Sequence, residues 1–200
     1  MESKNLTEQH FSIKKNDRRN QNNHTSFAIW LTGYSGAGKS TLANGIENRL
    51  FKNGIHTYIL DGDNVRKGLN NDLKFSDKDR EENIRRVGEV SKLFVDAGIV
   101  VIAAFISPFN KDRENVRKII QPDQFIEIFV DTSIQECERR DTKGLYKKAR
   151  KGEILNFPGI SSEFEKPINP EITVKTENQT VEESVDYIIH KLGEIVGLKF

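Results

Sequence analysis

Cysteine occurs once in this 200-residue chain, at Cys137, so no intramolecular disulfide can form and a reducing, cytoplasmic setting suits the sequence. Neither sign of charge is in excess, because 31 Lys and Arg stand against 30 Asp and Glu for a net charge of +1. That balance argues against a nucleic-acid or anionic-membrane surface, and the locally basic Lys14-Lys15-Asn16-Asp17-Arg18-Arg19 reads as solvated tail. Long hydrophobic runs are also missing. The longest, Ile99 to Ile106, is far too short to span a bilayer. The first 26 residues lack an apolar core and a small-residue cleavage pattern, which leaves no secretory signal. Internal repeats and low-complexity linkers are absent, and the length suits one α/β domain with a sizeable core.

What the chain does contain is Gly33-Tyr34-Ser35-Gly36-Ala37-Gly38-Lys39-Ser40, followed by Thr41. This matches G-x-x-x-x-G-K-[ST] at every fixed position, the pattern of a nucleoside triphosphate site. The apolar run Phe27 to Leu31 predicts a buried strand entering the loop, and Leu42, Ile46 and Leu50 predict the buried stripe of a helix leaving it. In that geometry successive backbone N–H groups converge on the phosphates, the helix N-terminus adds partial positive charge, Lys39 reaches the outer phosphates and Ser40 ligates Mg²⁺. ATP and Mg²⁺ are the expected cofactors.

Strands are predicted at 27–32, 57–61, 99–105, 125–130 and 172–176, and helices at 40–53, 77–97, 111–120, 133–140 and 180–196. The alternation implies an α/β fold, a three-layer sandwich around a five-stranded parallel sheet, and with the phosphate loop at its centre the expected fold class is a P-loop kinase. Ser76-Asp77-Lys78-Asp79 resembles a capping box, Thr180-Val181-Glu182-Glu183 is one, and Gly98 suits a helix end. Residues 1–25 read as a weakly structured polar tail and 26–200 as the kinase domain. Only the stretch from about 141 to 170 lacks periodicity; it holds three of the five prolines with Gly144, Gly152 and Gly159, and a lid is the natural assignment.

Ligands of such sheets bind beyond the carboxyl ends of the strands. There the chain carries Asp61-Gly62-Asp63-Asn64-Val65-Arg66 after the second strand and Phe105-Ile106-Ser107-Pro108-Phe109 after the third. One carboxylate can support the metal shell and another can accept a proton from an attacking hydroxyl, since phosphoryl transfer needs positioning more than strong bases. A nucleotide-gated switch protein is the competitor from another class. Asn110-Lys111-Asp112-Arg113 misplaces the aspartate of a guanine-reading motif, and Asp141-Thr142-Lys143-Gly144 follows a helix rather than the switch-bearing strand. These features alone leave the acceptor open among small-molecule kinases, including shikimate and nucleotide types.

Further blocks narrow the choice. They are Trp30-Leu31-Thr32 leading into the phosphate loop, the Asp61 to Arg66 block, Phe75-Ser76 with Asp79-Arg80-Glu81-Glu82-Asn83-Ile84-Arg85-Arg86, the Ser107 block, and Arg140 to Arg150 followed by Phe157-Pro158-Gly159-Ile160. In these the chain closely resembles the adenylyl-sulfate kinase family, over about residues 24–198. Departures are small: Tyr34 stands for the usual leucine, Lys67 for histidine, Lys74 for glycine and Thr142 for proline.

The resemblance implies transfer of the ATP γ-phosphate to the 3′-hydroxyl of adenosine 5′-phosphosulfate (APS), by a standalone homodimeric enzyme of sulfate assimilation. It implies Lys39, Asp61, Asp63 and Ser107 as catalytic, and Gly33, Tyr34, Ser35, Gly36, Ala37, Gly38, Lys39, Ser40, Thr41, Arg140 and Lys143 around the nucleotide. Asp63, Arg66, Arg80, Asn83, Ile106, Ser107, Lys143 and Leu145 would contact the acceptor, whose adenine Phe75 and Phe164 would sandwich. Family descriptions cast Ser107 as a phosphoenzyme; in this motif no neighbour is an obvious base for it, so direct transfer is expected.

Overall fold

Alternation within the first strand decides which helices cover which face. In the computed structural model, which describes residues 7 and 9–197, the strands are β1 (Ala28–Thr32), β2 (Thr57–Asp61), β3 (Val100–Ala104), β4 (Phe125–Val130) and β5 (Ile172–Val174). The helices are α1 (Lys15–Asn22), α2 (Lys39–Lys52), α3 (Gly62–Lys67), α4 (Asp77–Asp96), α5 (Asn110–Ile120), α6 (Ile134–Arg140), α7 (Leu145–Arg150) and α8 (Val181–Val196). Ile29 and Leu31 point to one face, where Leu42, Ile46 and Leu50 of α2 and Val185, Ile188 and Leu192 of α8 join them. Ala28 and Trp30 point to the other, against Ile84, Val87 and Val95 of α4 and Val116 and Ile120 of α5. Both faces are covered, and β1, β3 and β4 are accordingly apolar nearly throughout.

All pairings are parallel, in the order β2-β3-β1-β4-β5, with β1 central: Ala28 sits opposite Val101 on one side and Phe125 on the other. The three-layer sandwich, its five strands and the five predicted helices are therefore present, with ends shifted by one or two residues. Thr180 and Glu183 form the predicted capping box, Thr180 N donating to Glu183 at 2.7 Å and Glu183 N to Thr180 Oγ1 at 3.1 Å. Ser76 caps α4 through Asp79 N at 3.2 Å, but the reciprocal carboxylate bond goes to the Ser76 hydroxyl and no capping box forms.

Three helices were not expected. The segment 1–25 contains α1, although its first six residues and Glu8 lie outside the described residues. This helix has no buried residue and hence no apolar stripe for periodicity to register. Polar contacts hold it: Arg18 to Asp96 at 3.1 Å, Asn22 to Gly98 O at 3.0 Å and Arg19 Nε to Ser26 Oγ at 2.8 Å. The other two, α3 and α7, have six residues each, too short for a repeating pattern. The presumed aperiodic lid thus begins with a helix, which docks through Tyr146 and Ala149. No helix among the described residues is long and apolar enough to cross a membrane.

Candidate active site

The phosphate loop leaves the end of the central strand. Gly33 has φ 149°, and a Cβ there would lie 2.7 Å from the Val130 carbonyl oxygen, so glycine is required where the loop passes β4. Gly38 then caps α2 in a left-handed conformation at φ 105°. Lys39 is buried and donates to its own loop, at 3.0 Å to Gly33 O and 2.7 Å to Tyr34 O. Burial pushes its ammonium down to about 8, with Cys137 and then Asp61 acting in the opposite sense.

Next to this loop the two carboxylates after β2 are divided. Asp61 accepts from Ser40 Oγ at 2.6 Å with one oxygen and caps α3 through Asp63 N at 3.0 Å with the other. Asp63 instead projects outward and pairs with Lys143 at the base of the lid. Among the described residues no group of three or more His, Cys, Asp or Glu could hold a metal alone. The joined Ser40 and Asp61 oxygens fit Mg²⁺, a hard cation that takes one or two protein oxygens and completes its shell with phosphate and water.

Ser107 sits differently from its expected place. It is only 2% exposed, its backbone is left-handed at φ 38°, and its hydroxyl accepts from Trp30 Nε1 at 3.1 Å and donates to Thr32 Oγ1 at 3.0 Å. Thr32 in turn donates to Ile106 O at 2.7 Å. The hydroxyl expected at the acceptor is turned inward because the buried Trp30 N–H needs an acceptor.

Beneath this turn lies a residue that sequence reasoning passed over. Arg113, buried on α5, donates to Ser107 O at 2.6 Å and to the lid's Glu165 O at 2.8 Å, and pairs with buried Glu127 at 2.7 Å. Glu165 completes the stitch, its N–H donating to Pro108 O at 2.8 Å and its carboxylate accepting from Asn110 N at 2.7 Å. A signal was available: an arginine one turn before Val116, on the buried stripe of an amphipathic helix, needs an internal partner.

Beyond β2, Arg66 and Arg80 converge on Phe75, their guanidinium carbons 4.6 and 5.5 Å from its ring centroid. Arg80 also donates to Phe75 O at 3.2 Å and to Asn156 O of the lid at 3.0 Å, while Arg66 holds Leu73 O and Lys74 O at 3.2 and 3.0 Å. Burial lowers both arginines from their usual range, with Arg66 lowering Arg80 further. Buried Asn83 accepts from Asn70 at 3.0 Å. Phe75 is 55% exposed, which excludes a core role for it. Phe164 is buried, its ring 4.6 Å from that of Tyr34 and 6.3 Å from that of Phe129. Phe164 thus packs on apolar partners of the body, and Phe75 on cations.

The lid base is tied to the phosphate loop from the other side. Arg140 pairs with Glu136 at 2.8 Å and donates to Thr176 Oγ1 and O, each at 3.0 Å, while the Thr176 hydroxyl reaches Ala37 O at 3.2 Å. Tyr146 Oη donates to Ser35 O at 2.9 Å, and half-buried Leu145 packs on the adjoining core. Nucleotide loop, both carboxylates, two arginines and lid base therefore meet at one end of the sheet.

Comparison with known proteins identifies relatives of the chain. A family model described as adenylylsulphate kinase matches residues 25–175. The chain is 58% identical to an adenylyl-sulfate kinase of Oceanobacillus iheyensis over 192 residues, 96% of each chain, and 56% identical to one of Staphylococcus haemolyticus over 191 residues, again 96% of each. Its fold is similar to that of the APS kinase CysC of Mycobacterium tuberculosis, solved in complex with AMPPNP and APS, with a TM-score of 0.80 and 44% identity over 84% of this chain and 98% of that one.

Proposed function

The chain belongs to the adenylylsulphate kinase family, and from that premise we propose that it transfers the γ-phosphoryl group of ATP to the 3′-hydroxyl of APS. The products are ADP and 3′-phosphoadenylyl sulfate, made for sulfate assimilation. The observation that carries the reading is the meeting, beyond the carboxyl ends of β1 and β2, of a complete phosphate loop with Asp63 paired to Lys143 of the lid base. In the reaction the acceptor oxygen forms a bond to γ-phosphorus as the bond to the β–γ bridging oxygen breaks, and the hydroxyl proton leaves to a base.

Backbone amides of Gly33 to Thr41 would hold the triphosphate, with Arg140 and Lys143 at the lid base beside it. Lys39 would turn from the loop carbonyls to the transferring phosphate, and Asp63 would orient the 3′-hydroxyl and take its proton. Arg66 and Arg80 offer guanidinium forks to the phosphosulfate, and Asn83 an amide. Ser40 and Asp61 would hold Mg²⁺, which when bound supplies charge neutralisation at the phosphate oxygens. The family resemblance supports a homodimer and a cytoplasmic setting. The test is ADP release with APS and, separately, with shikimate, gluconate and nucleoside monophosphates. Turnover on APS alone is expected, and turnover on a monophosphate alone would make this a nucleotide kinase.

The inward Ser107 hydroxyl supports direct transfer over a phosphoserine intermediate. Ser107→Ala should keep measurable activity, with a stability cost of about 1–3 kcal/mol for the unpaired Trp30 N–H. Enzyme incubated with γ-labelled ATP and no acceptor should carry no label, and stoichiometric label that chases onto APS would reverse this assignment.

A further inference from the structure

Tyr34 occupies two sites at once. Its carbonyl oxygen accepts from Lys39 Nζ at 2.7 Å inside the phosphate loop, while its ring lies 4.6 Å from that of Phe164, the planes at 43°. Phe129 backs Phe164 from the body, 6.3 Å away with the ring planes at 21°. A second lid segment rests on the same ring. Gly159 has φ 86°, and a Cβ there would come within 2.6 Å of Tyr34 Cε1 and 2.7 Å of Ile134 Cδ1, so the lid backbone is pressed against the tyrosine.

We infer that Tyr34 is a positioning residue for the acceptor: its ring fixes where Phe164 stands, so that affinity for APS depends on a side chain of the nucleotide loop. The inference rests on the proposed reaction and on Phe164 belonging to the acceptor side. A leucine, usual here by resemblance to the family, would supply apolar area but no ring-on-ring contact. Glu165, the next residue, is held by Arg113 and Asn110, which anchors the backbone beside Phe164 and leaves the placing of its ring to Tyr34 and Phe129.

The test compares Tyr34→Ala, Tyr34→Leu and Tyr34→Phe by steady-state kinetics, with ADP binding by calorimetry as a check on the loop. In Tyr34→Ala the KM for APS should rise about three- to tenfold, the range set by one aromatic pair, and by a larger factor than the KM for ATP or the Kd for ADP. Tyr34→Phe should restore the acceptor KM and Tyr34→Leu should fall between. The effects of Tyr34→Ala and Phe164→Ala should be non-additive when combined. Equal shifts in both substrates, or a phenylalanine variant no better than alanine, would overturn the inference while leaving the proposed reaction standing. A wild-type enzyme inactive on APS would instead overturn the reaction and the inference with it.

Discussion

Asp63→Asn should lower kcat by roughly 10²–10⁴-fold, the range for removal of a general base. Its neighbour Asp61 has both oxygens committed, one to Ser40 at 2.6 Å and one to the N-terminus of α3 at 3.0 Å. Asp63 has no such structural duty. Among the described residues its side chain pairs with Lys143 at the lid base, a cation that can turn to phosphate when nucleotide is bound. The amide keeps the shape of the carboxylate and loses its charge, so nucleotide binding and melting temperature should stay near wild type while turnover falls. Single-turnover rates with saturating ATP and APS measure the chemical step directly. If Asp61→Asn proves the damaging change and Asp63→Asn the mild one, the two roles must be exchanged.

Lys39→Ala should cost about 10²–10³ in turnover, the usual loss for one preorganised electrostatic contact, and less in nucleotide affinity because backbone amides keep the phosphates. The same residue predicts a pH profile. Burial holds the free-enzyme ammonium at about 8, and the charged form is the active one, so the competent fraction declines as pH rises through that value. The kcat/KM for ATP should therefore fall on the alkaline side with an apparent pKa near 8. Bound polyanionic nucleotide favours the ammonium, so the corresponding fall in kcat should lie at higher pH. An alkaline limb that persists in Lys39→Ala would belong to another group, and near-normal turnover in that variant would remove Lys39 from the mechanism.

The parts of this site that were legible in the sequence are those whose chemistry imposes a spacing along the chain. A phosphate loop needs its glycines, lysine and serine within eight positions, so Gly33 to Ser40 announced itself, and Thr180 with Glu183 did so for the same reason. Positions decided by partners far along the chain did not. Arg113 becomes intelligible only when Glu127, Ser107 and Glu165 are around it, and they come from a strand, a turn and the lid. Ser107 faces inward because of Trp30, a residue 77 positions away. Phe164 was recognised as a lid aromatic, yet its partners Tyr34 and Phe129 belong to tertiary packing. Helix α1 escaped notice because polar contacts leave no periodic trace.

The strand order has a consequence for how the molecule comes to exist. Strand β1 is the first made, yet its hydrogen-bonding partners are β3 and β4, with Ala28 facing Val101 and Phe125. During synthesis, the centre of the sheet must wait for its flanks, because β2 pairs with β3 and has no bond to β1. Until Val130 has emerged, the nascent chain carries an apolar strand with at least one bare edge, the kind of surface that chaperones cover and neighbouring chains pair with. Closing loops of this length slows the search for the native pairing. The arrangement that gathers the phosphate loop, the carboxylates and the lid at one end of the sheet thus makes assembly of the domain a late event, completed only once β5 has been made and can pair with β4.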